Sequence, residues 1–321
     1  MQNEVSVSVV VASHARASRL RWLLNSLEEQ HFSERWEAIV VHDYDASIAE
    51  RVIERHPLAT AGRLRHVAIE PGTGSPARQR NLGWRSALGE LVAFTDDDCR
   101  PEADWLERLV DRARRSPAQI VQGRTRPDPF ELDVLRAPHI RTMLIDPVGP
   151  FAQTCNILYS RALLECLGGF DEQAITGEDV DLSLRARALG VGVVPAVDAV
   201  VNHAIESFTL LGILRENLKW RHLAYLVSRH PELRRDLTWR VFWDGEHLRT
   251  AAALVAVAGA SWRTPLIVLA APYVVHGARR RGPGRRARLV ATAEIPGQAI
   301  RQAAEVLGLA AASARHRTFI L

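Results

Sequence analysis

The stretch Leu91-Val92-Ala93-Phe94-Thr95, followed at once by Asp96-Asp97-Asp98, reads as a short apolar strand that stops on three carboxylates. A continuous apolar run of four, Leu91–Phe94, bounded by polar residues suits a strand buried on both faces. The segments around it repeat that grammar. Residues 5–11 are rich in valine and end at Ser13-His14-Ala15, and residues 38–41 end at His42-Asp43. Leu20, Leu23, Leu24 and Leu27 have helical spacing, and helices are expected over 47–55, 76–88 and 101–115, with a strand at 66–69. Strands alternating with helices imply an α/β fold, a mostly parallel sheet flanked by helices. Ligands of such sheets bind beyond the carboxyl ends of the strands, where each of these polar clusters lies.

The alternation weakens later. Strands are expected at 120–123, 156–160, 191–194 and 197–203, and helices at 161–167 and 180–189, with a long proline- and arginine-rich loop over 124–150. Beyond Phe208 the pattern is helical only. This divides the chain into an alternating α/β region, 1–205, and a helical, basic tail, 206–321. From Glu246 onward there are eleven arginines and three glutamates, a net charge of +8 against +4 for the whole chain. Cys99, Cys155 and Cys166 are odd in number and lack a Cys-x-x-Cys spacing, which suggests a reducing compartment and neither a disulfide frame nor a zinc site. The opening Met-Gln-Asn-Glu-Val has no basic n-region, so a first strand is expected there and not a signal peptide. The expected location is cytoplasmic, at the cytoplasmic face of a membrane.

Within the tail, residues 251–260 and 266–275 are apolar and separated by Ser-Trp-Arg-Thr-Pro. Each is well short of the roughly 20 residues a spanning helix needs. Joined, they would carry Arg263 and Pro265 near the middle, which is costly. Two readings stay open: a buried helical hairpin, or an interfacial pair held by Arg279, Arg280, Arg281, Arg285 and Arg286 against an anionic membrane surface. Nucleic acid is not an expected partner, because the arginines lie beside apolar helices without interleaved aromatics.

Two acidic constellations carry chemistry. In a still-extended segment Asp96 and Asp98 point to one side and Asp97 to the other. Crowded acids attract a cation, and hard oxygen ligands suit Mg²⁺ or Mn²⁺. The bland alternative is that the run caps the helix expected from Pro101, but one cap needs one aspartate. The second constellation is Gly168-Gly169-Phe170-Asp171-Glu172 and Gly177-Glu178-Asp179-Val180-Asp181. Acids in a first turn serve the helix dipole, yet three in four positions exceed that need. Asp179 is the expected general base, with Phe170, Asp171 and Glu178 on the acceptor side. His203 ends the last apolar strand and would be a reasonable metal ligand beside a carboxylate.

With those residues in view, the chain resembles family 2 glycosyltransferases of the GT-A fold. The resemblance rests on the 9–16 opening with Leu20, Leu24 and Leu27, on Ala77-Arg78-Gln79-Arg80-Asn81-Leu82-Gly83, on Asp96–Asp98 with Pro101 and Trp105-Leu106, and on the two Gly-acid segments. It implies an inverting transfer from a UDP-, GDP- or dTDP-sugar to a hydroxyl acceptor, as in polysaccharide or glycolipid biosynthesis, with Mg²⁺ or Mn²⁺. It further implies metal ligation by Asp98 and His203, catalysis by Asp179, and donor binding by Ser13, Arg16, Arg80, Asn81, Asp96 and Asp97. Two positions depart from the family pattern: the acid expected after the second strand is His42, with Asp43 one residue on, and Ala15 stands where asparagine is common. Asp43 is the expected substitute on the donor side. Two other classes compete. One is a membrane-attached scaffold with a transferase-like fold. The other is a dinucleotide-binding oxidoreductase, on the near-match Gly72-Thr73-Gly74-Ser75-Pro76-Ala77.

Overall fold

The computed structural model describes residues 4–146, 148–149, 151–260 and 264–321. The first three residues of the chain and Arg263 therefore lie outside the described residues. The described chain forms two compact units, one of residues 4–136 and 140–206, the other of 137–139 and 207–321.

In the first unit, β1 (Val7–Ser13), β2 (Trp36–His42), β3 (Leu64–Ala68) and β4 (Leu91–Asp96) form the parallel half of an eight-stranded sheet. β-Branched residues fill β1 and the core of β2, and nearly every side chain there is buried, as expected for strands covered on both faces. Helix α1 (Ala17–Glu28) buries Leu20, Leu23, Leu24 and Leu27, its one apolar stripe. Helix α2 (Pro76–Ser86) starts where the sequence places a cap: the Ser75 hydroxyl accepts from the Arg78 amide at 3.2 Å, with proline in the first turn.

After β4 come β5 (Cys99–Pro101), α3 (Trp105–Arg115), β6 (Ile120–Pro127), β7 (Asn156–Ser160), α4 (Arg161–Leu167), α5 (Glu178–Ala188) and β8 (Val193–His203). The strand order is β3-β2-β1-β4-β7-β6-β8-β5. β7 runs antiparallel to β4 and β6, and β5 antiparallel to β8, while β6 and β8 are parallel. Apolar clusters lie on both faces of the sheet, one containing Leu20, Leu24, Trp105 and Leu109, the other Trp84, Phe94, Tyr159 and Leu182.

Three local expectations change. The helix expected from Pro101 begins at Trp105, because Cys99–Pro101 pairs with β8 as a strand. No aspartate of the 96–98 run caps it; Asp104 holds the N-cap position. The strands expected at 191–194 and 197–203 are one strand, β8, whose partner register jumps from Gly123–Ala196 to Arg124–Val200. Asn156 absorbs the irregularity, its amide donating to the carbonyls of Arg124 at 2.8 Å and Ala199 at 2.9 Å. A Cβ at Gly123 would lie 2.4 Å from the Ala199 oxygen, so only glycine allows the strands this close. The 124–150 segment is not one long loop: β6 runs to Pro127, and a 3₁₀ helix, Pro129–Arg136, is tied down by Glu131, which pairs with Arg19 and accepts from the Ile205 amide at 2.8 Å.

The second unit is helical. It contains α6 (Leu210–Asn217), α7 (Leu223–Arg229), α8 (Gly245–Ala260), α9 (Ala271–Arg279) and α10 (Arg285–His316). Pro296 sits within α10. No helix among the described residues is long and apolar enough to cross a membrane.

Candidate active site

The acidic run spans the end of β4 and the turn after it, and this changes the geometry expected of it. Asp96 is the last strand residue, while Asp97 and Asp98 form the turn into β5. Two-residue alternation ends with the strand, so Asp96 and Asp98 do not act as a same-side pair. Asp96 accepts from Arg80 Nη2 at 2.8 Å. Asp97 and Asp98 instead share Arg16, whose Nη1 lies 2.7 Å from Asp98 Oδ2 and 3.3 Å from Asp97 Oδ1.

Arg16 opens α1 from the β1 loop, and its Nη2 also reaches Glu206 at 3.1 Å. Burial opposes its charge, but Asp98, Asp97 and Glu206 together raise its pKa. Asp97 additionally accepts from the Ser13 hydroxyl at 2.7 Å and the His14 amide at 3.3 Å. Burial pushes the Asp97 carboxyl up to about 6, aided by Asp98 and opposed by Arg16. Ala15, between these groups, has φ of 56°. That left-handed backbone disfavours alanine and tolerates asparagine, which gives a physical meaning to the departure at this position.

Asp98 faces His203 across paired strands. The His203 Nδ1–H donates to the Ala204 carbonyl at 2.8 Å, which leaves Nε2 as a lone pair 3.6 Å from Asp98 Oδ1. Asp98 Oδ1 is buried and has no hydrogen-bond partner among the described residues. Burial raises the Asp98 carboxyl, against His203 and Arg16. A buried carboxylate oxygen with an imidazole lone pair close by fits a cation between them. Ligand atoms of Asp98, Cys99 and His203 all lie within 4.8 Å of one another. Burial lifts the Cys99 thiol well above its ordinary pKa, so it stays protonated, and the oxygen and imidazole donors suit a hard ion.

The other side of the site is built on Arg80, which is buried on α2. Its Nη1 donates to Glu178 at 2.6 Å and its Nη2 to Asp96, and its guanidinium lies 5.9 Å from the Phe170 ring centre. Burial opposes the charge, while Asp96 and Glu178 raise the pKa. Glu178 and Asp179 begin α5 after Gly177, and the Asp179 carboxylate accepts from the Val180 amide at 2.8 Å. Asp179 stays half-buried. Burial, and then Glu178, raises its carboxyl well above the usual range against the pull of Arg80.

Asn81 is committed elsewhere. Its amide donates to the Phe170 carbonyl and to Glu172, and its oxygen accepts from the Phe170 amide and Trp84 Nε1, all at 2.9 Å. Those four bonds use its whole capacity. It fixes the Gly168–Glu172 turn, where a Cβ at Gly169 would lie 2.4 Å from Asn81 Oδ1. Arg185 holds the same turn through the carbonyls of Leu167 at 2.7 Å and Gly169 at 2.8 Å. Phe170 is therefore buried, its ring edge-on to Phe94, and Asp171 closes the next turn by accepting from the Gln173 amide.

At the end of β2, Tyr44's amide donates to His42 Nδ1 at 3.1 Å, so His42 Nε2 carries the proton and donates to His66 Nδ1 at 2.9 Å. Burial, with His66, lowers the His42 pKa to about 4. The Asp43 side chain is only 6% exposed and pairs with the exposed His14 at 2.7 Å.

Sequence reasoning missed three residues here. Tyr44 OH meets the Ser13 hydroxyl at 2.7 Å and accepts from the Arg16 amide at 3.1 Å. Its only sequence signal is its place directly after Asp43, the acid that follows β2. Glu206, three residues past the end of β8, and Arg185, one turn after Asp181, carried no recognisable signal. The glycine-rich 72–77 segment follows the edge strand β3, whereas a dinucleotide fingerprint follows the first, central strand.

Residues 8–168 match the family Glycosyl transferase family 2. The chain is 25% identical over 207 residues to the glycosyltransferase AglE of Haloferax volcanii, covering 63% of this chain and 68% of that protein. It is 29% identical over 241 residues to the pre-mycofactocin glycosyltransferase of Mycobacterium tuberculosis, covering 70% of this chain and only 48% of that one. Among solved structures, the mannosyltransferase PcManGT of Pyrobaculum calidifontis, in complex with GDP-Man and Mn²⁺, superposes with a TM-score of 0.60 at 22% identity. That likeness covers 95% of this chain and 87% of PcManGT, and it places the fold among GT-A structures.

Proposed function

Because the chain belongs to glycosyl transferase family 2 and is a glycosyltransferase, we propose that it catalyses an inverting, metal-dependent transfer from a nucleotide-diphosphate sugar to an acceptor hydroxyl. The observation that carries the metal dependence is Asp98 Oδ1, without a hydrogen-bond partner among the described residues, lying 3.6 Å from His203 Nε2. These two residues would hold Mg²⁺ or Mn²⁺, which when bound stabilises the charge on the departing diphosphate.

The chain's own groups do the rest. Asp179 takes the acceptor proton as the hydroxyl oxygen attacks the anomeric carbon and the bond to the diphosphate breaks in one displacement. A carboxyl whose pKa is raised by burial is better matched to this work near neutrality than an exposed one. Arg80 fixes Glu178 and Asp96 on either side of the donor sugar. Arg16 is shared by three acids and can turn one face to the diphosphate. Ser13, Asp43, Asp96 and Asp97 contribute the donor pocket, and Phe170 with Asp171 shapes the acceptor side. Asn81 acts as a positioning residue for that turn. The donor is a UDP-, GDP- or dTDP-sugar. The transferase region is 1–205, and the basic tail, 206–321, attaches the enzyme to the cytoplasmic face of an anionic membrane.

A thermal-shift screen of nucleotide-sugars with and without Mn²⁺ tests the reading. A ligand that binds the folded state stabilises it by mass action, so one donor should raise Tm only when the metal is present. Equal shifts without metal would remove the metal from the reading.

A further inference from the structure

The hairpin made by α8, the 3₁₀ segment Thr264–Ala270 and α9 is apolar at one end and basic at the other. Its closed end is marked by Gly259, where a Cβ would lie 2.6 Å from the Leu266 side chain. Its open end is marked by Arg249 Nη2, 3.4 Å from His276 Nε2. The arms therefore run past one another, and residues near the turn share one end.

That end is not packed into a core. Val257 and Val268 are 69% and 67% exposed, and Val255 and Ile267 beside them are exposed too. α9 buries only Gly277, and α8 buries only His247, Thr250 and Ala256. A buried hairpin, one of the two readings open from sequence, would hide these valines. Large aliphatic side chains held together in water mark a surface that something covers.

The charge around the hairpin indicates what covers it. Arg279, Arg280, Arg285, Arg286 and Arg288 are exposed and make no ion pair among the described residues. Arg281 differs: it is bound to Glu294 at 2.7 Å. No acid lies between Arg279 and Glu294 in the chain. From Val257 back to Arg249 is eight residues, about 12 Å along a helix. Apolar faces of interfacial helices sink about 5–10 Å below the headgroups, so a tip and a basic base at this separation match acyl boundary and phosphate. A protein surface would need a matching row of acids, whereas anionic headgroups supply one everywhere.

We infer that this hairpin is the membrane-contacting element: its tip, around Val257 and Val268, enters the headgroup boundary of an anionic bilayer, and the arginines after α9 face the lipid phosphates. The inference rests on the peripheral attachment proposed above and assigns it to one face. It excludes a span, in keeping with the short arms.

The test uses the full chain and vesicles of phosphatidylcholine alone or with one quarter phosphatidylglycerol. Wild-type protein should co-float with the anionic vesicles and not with the neutral ones. Val257→Asp/Val268→Asp should reduce that partition at least tenfold, as should Arg285→Gln/Arg286→Gln/Arg288→Gln, with the circular dichroism of each unchanged. If the aspartate pair fails to fold, the glutamine set, which alters only exposed side chains, decides. Wild type that binds while both variants bind equally well overturns the assignment of this face and leaves peripheral attachment standing. Wild type that ignores anionic vesicles overturns both. If the aspartate pair converts a dimer to a monomer and leaves partition intact, the face belongs to a second copy of the chain, and the inference fails.

Discussion

The two sides of the candidate active site are built on opposite terms. On the Arg80 side, Arg80 joins Asp96 to Glu178, Asn81 makes four bonds, and Arg185 grips two carbonyls of the Gly168–Glu172 turn. On the Asp98 side, Asp98 Oδ1 and His203 Nε2 face each other without a donor between them, one arginine serves three acids, and Ala15 is strained. A satisfied network stabilises and positions, whereas buried acceptors without donors lower stability until a ligand supplies positive charge. The difference separates scaffold from binding corner with no ligand in view.

Four substitutions would break or sharpen that contrast. The largest effect is expected at the catalytic group between the sides. Asp179→Asn should lower kcat by about 10³–10⁴ with donor affinity unchanged, since a positioned base contributes roughly that much. In wild type, rate falls as Asp179 gains its proton. Its raised pKa therefore places the acid limb of the kcat profile above the ordinary carboxylate range. A limb near pH 4 would reassign the base. On the satisfied side, Arg80→Met leaves Glu178 buried and unpaired and should cost about 3–5 kcal/mol in a denaturant melt, as broken buried pairs do. A loss under about 1 kcal/mol would show that this network is not the scaffold.

On the open side the expected signs differ. Asp98→Ala should weaken Mn²⁺ and donor binding by calorimetry by at least the roughly 10–100-fold lost when groups that merely support metal ligands are altered, while apo-protein stability holds or rises. A large drop in apo stability would make Asp98 a structural residue. The smallest effect belongs to Ala15→Gly. Glycine accepts φ of 56° without a Cβ penalty, and its greater unfolded-state entropy offsets part of the gain, so Tm should rise by an amount equal to about 0.5–1 kcal/mol. An unchanged or lowered Tm would show that the loop carries no strain.

How legible all this was depends on the range of the interaction involved. Strands β1, β2 and β4 were legible because β-branched runs bounded by polar residues declare themselves locally. The bulge joining the last two expected strands into β8 was not, because it depends on Asn156 reaching the carbonyls of Arg124 and Ala199 from another strand. In the same way, Asp96 to Asp98 were found as a group, but their partners were not assigned. Where the strand ends after Asp96, alternation ceases to predict direction, and Arg80 and Arg16 arrive from distant helices. Asn81 entered the donor pocket through the family resemblance, whereas three of its four bonds go to a turn about 90 residues away and are visible only in the fold.

The amino-acid sequence alone determined the βα alternation, the clustering of acids at strand ends and the family, because each depends on residue type at short, regular spacing. Tertiary structure decided which acids are satisfied and which are left facing a gap, which asparagine is a clamp, and which valines of the tail remain in water. Those outcomes depend on groups that meet across the sheet or between helix arms, and burial then sets whether each charge or apolar surface is covered.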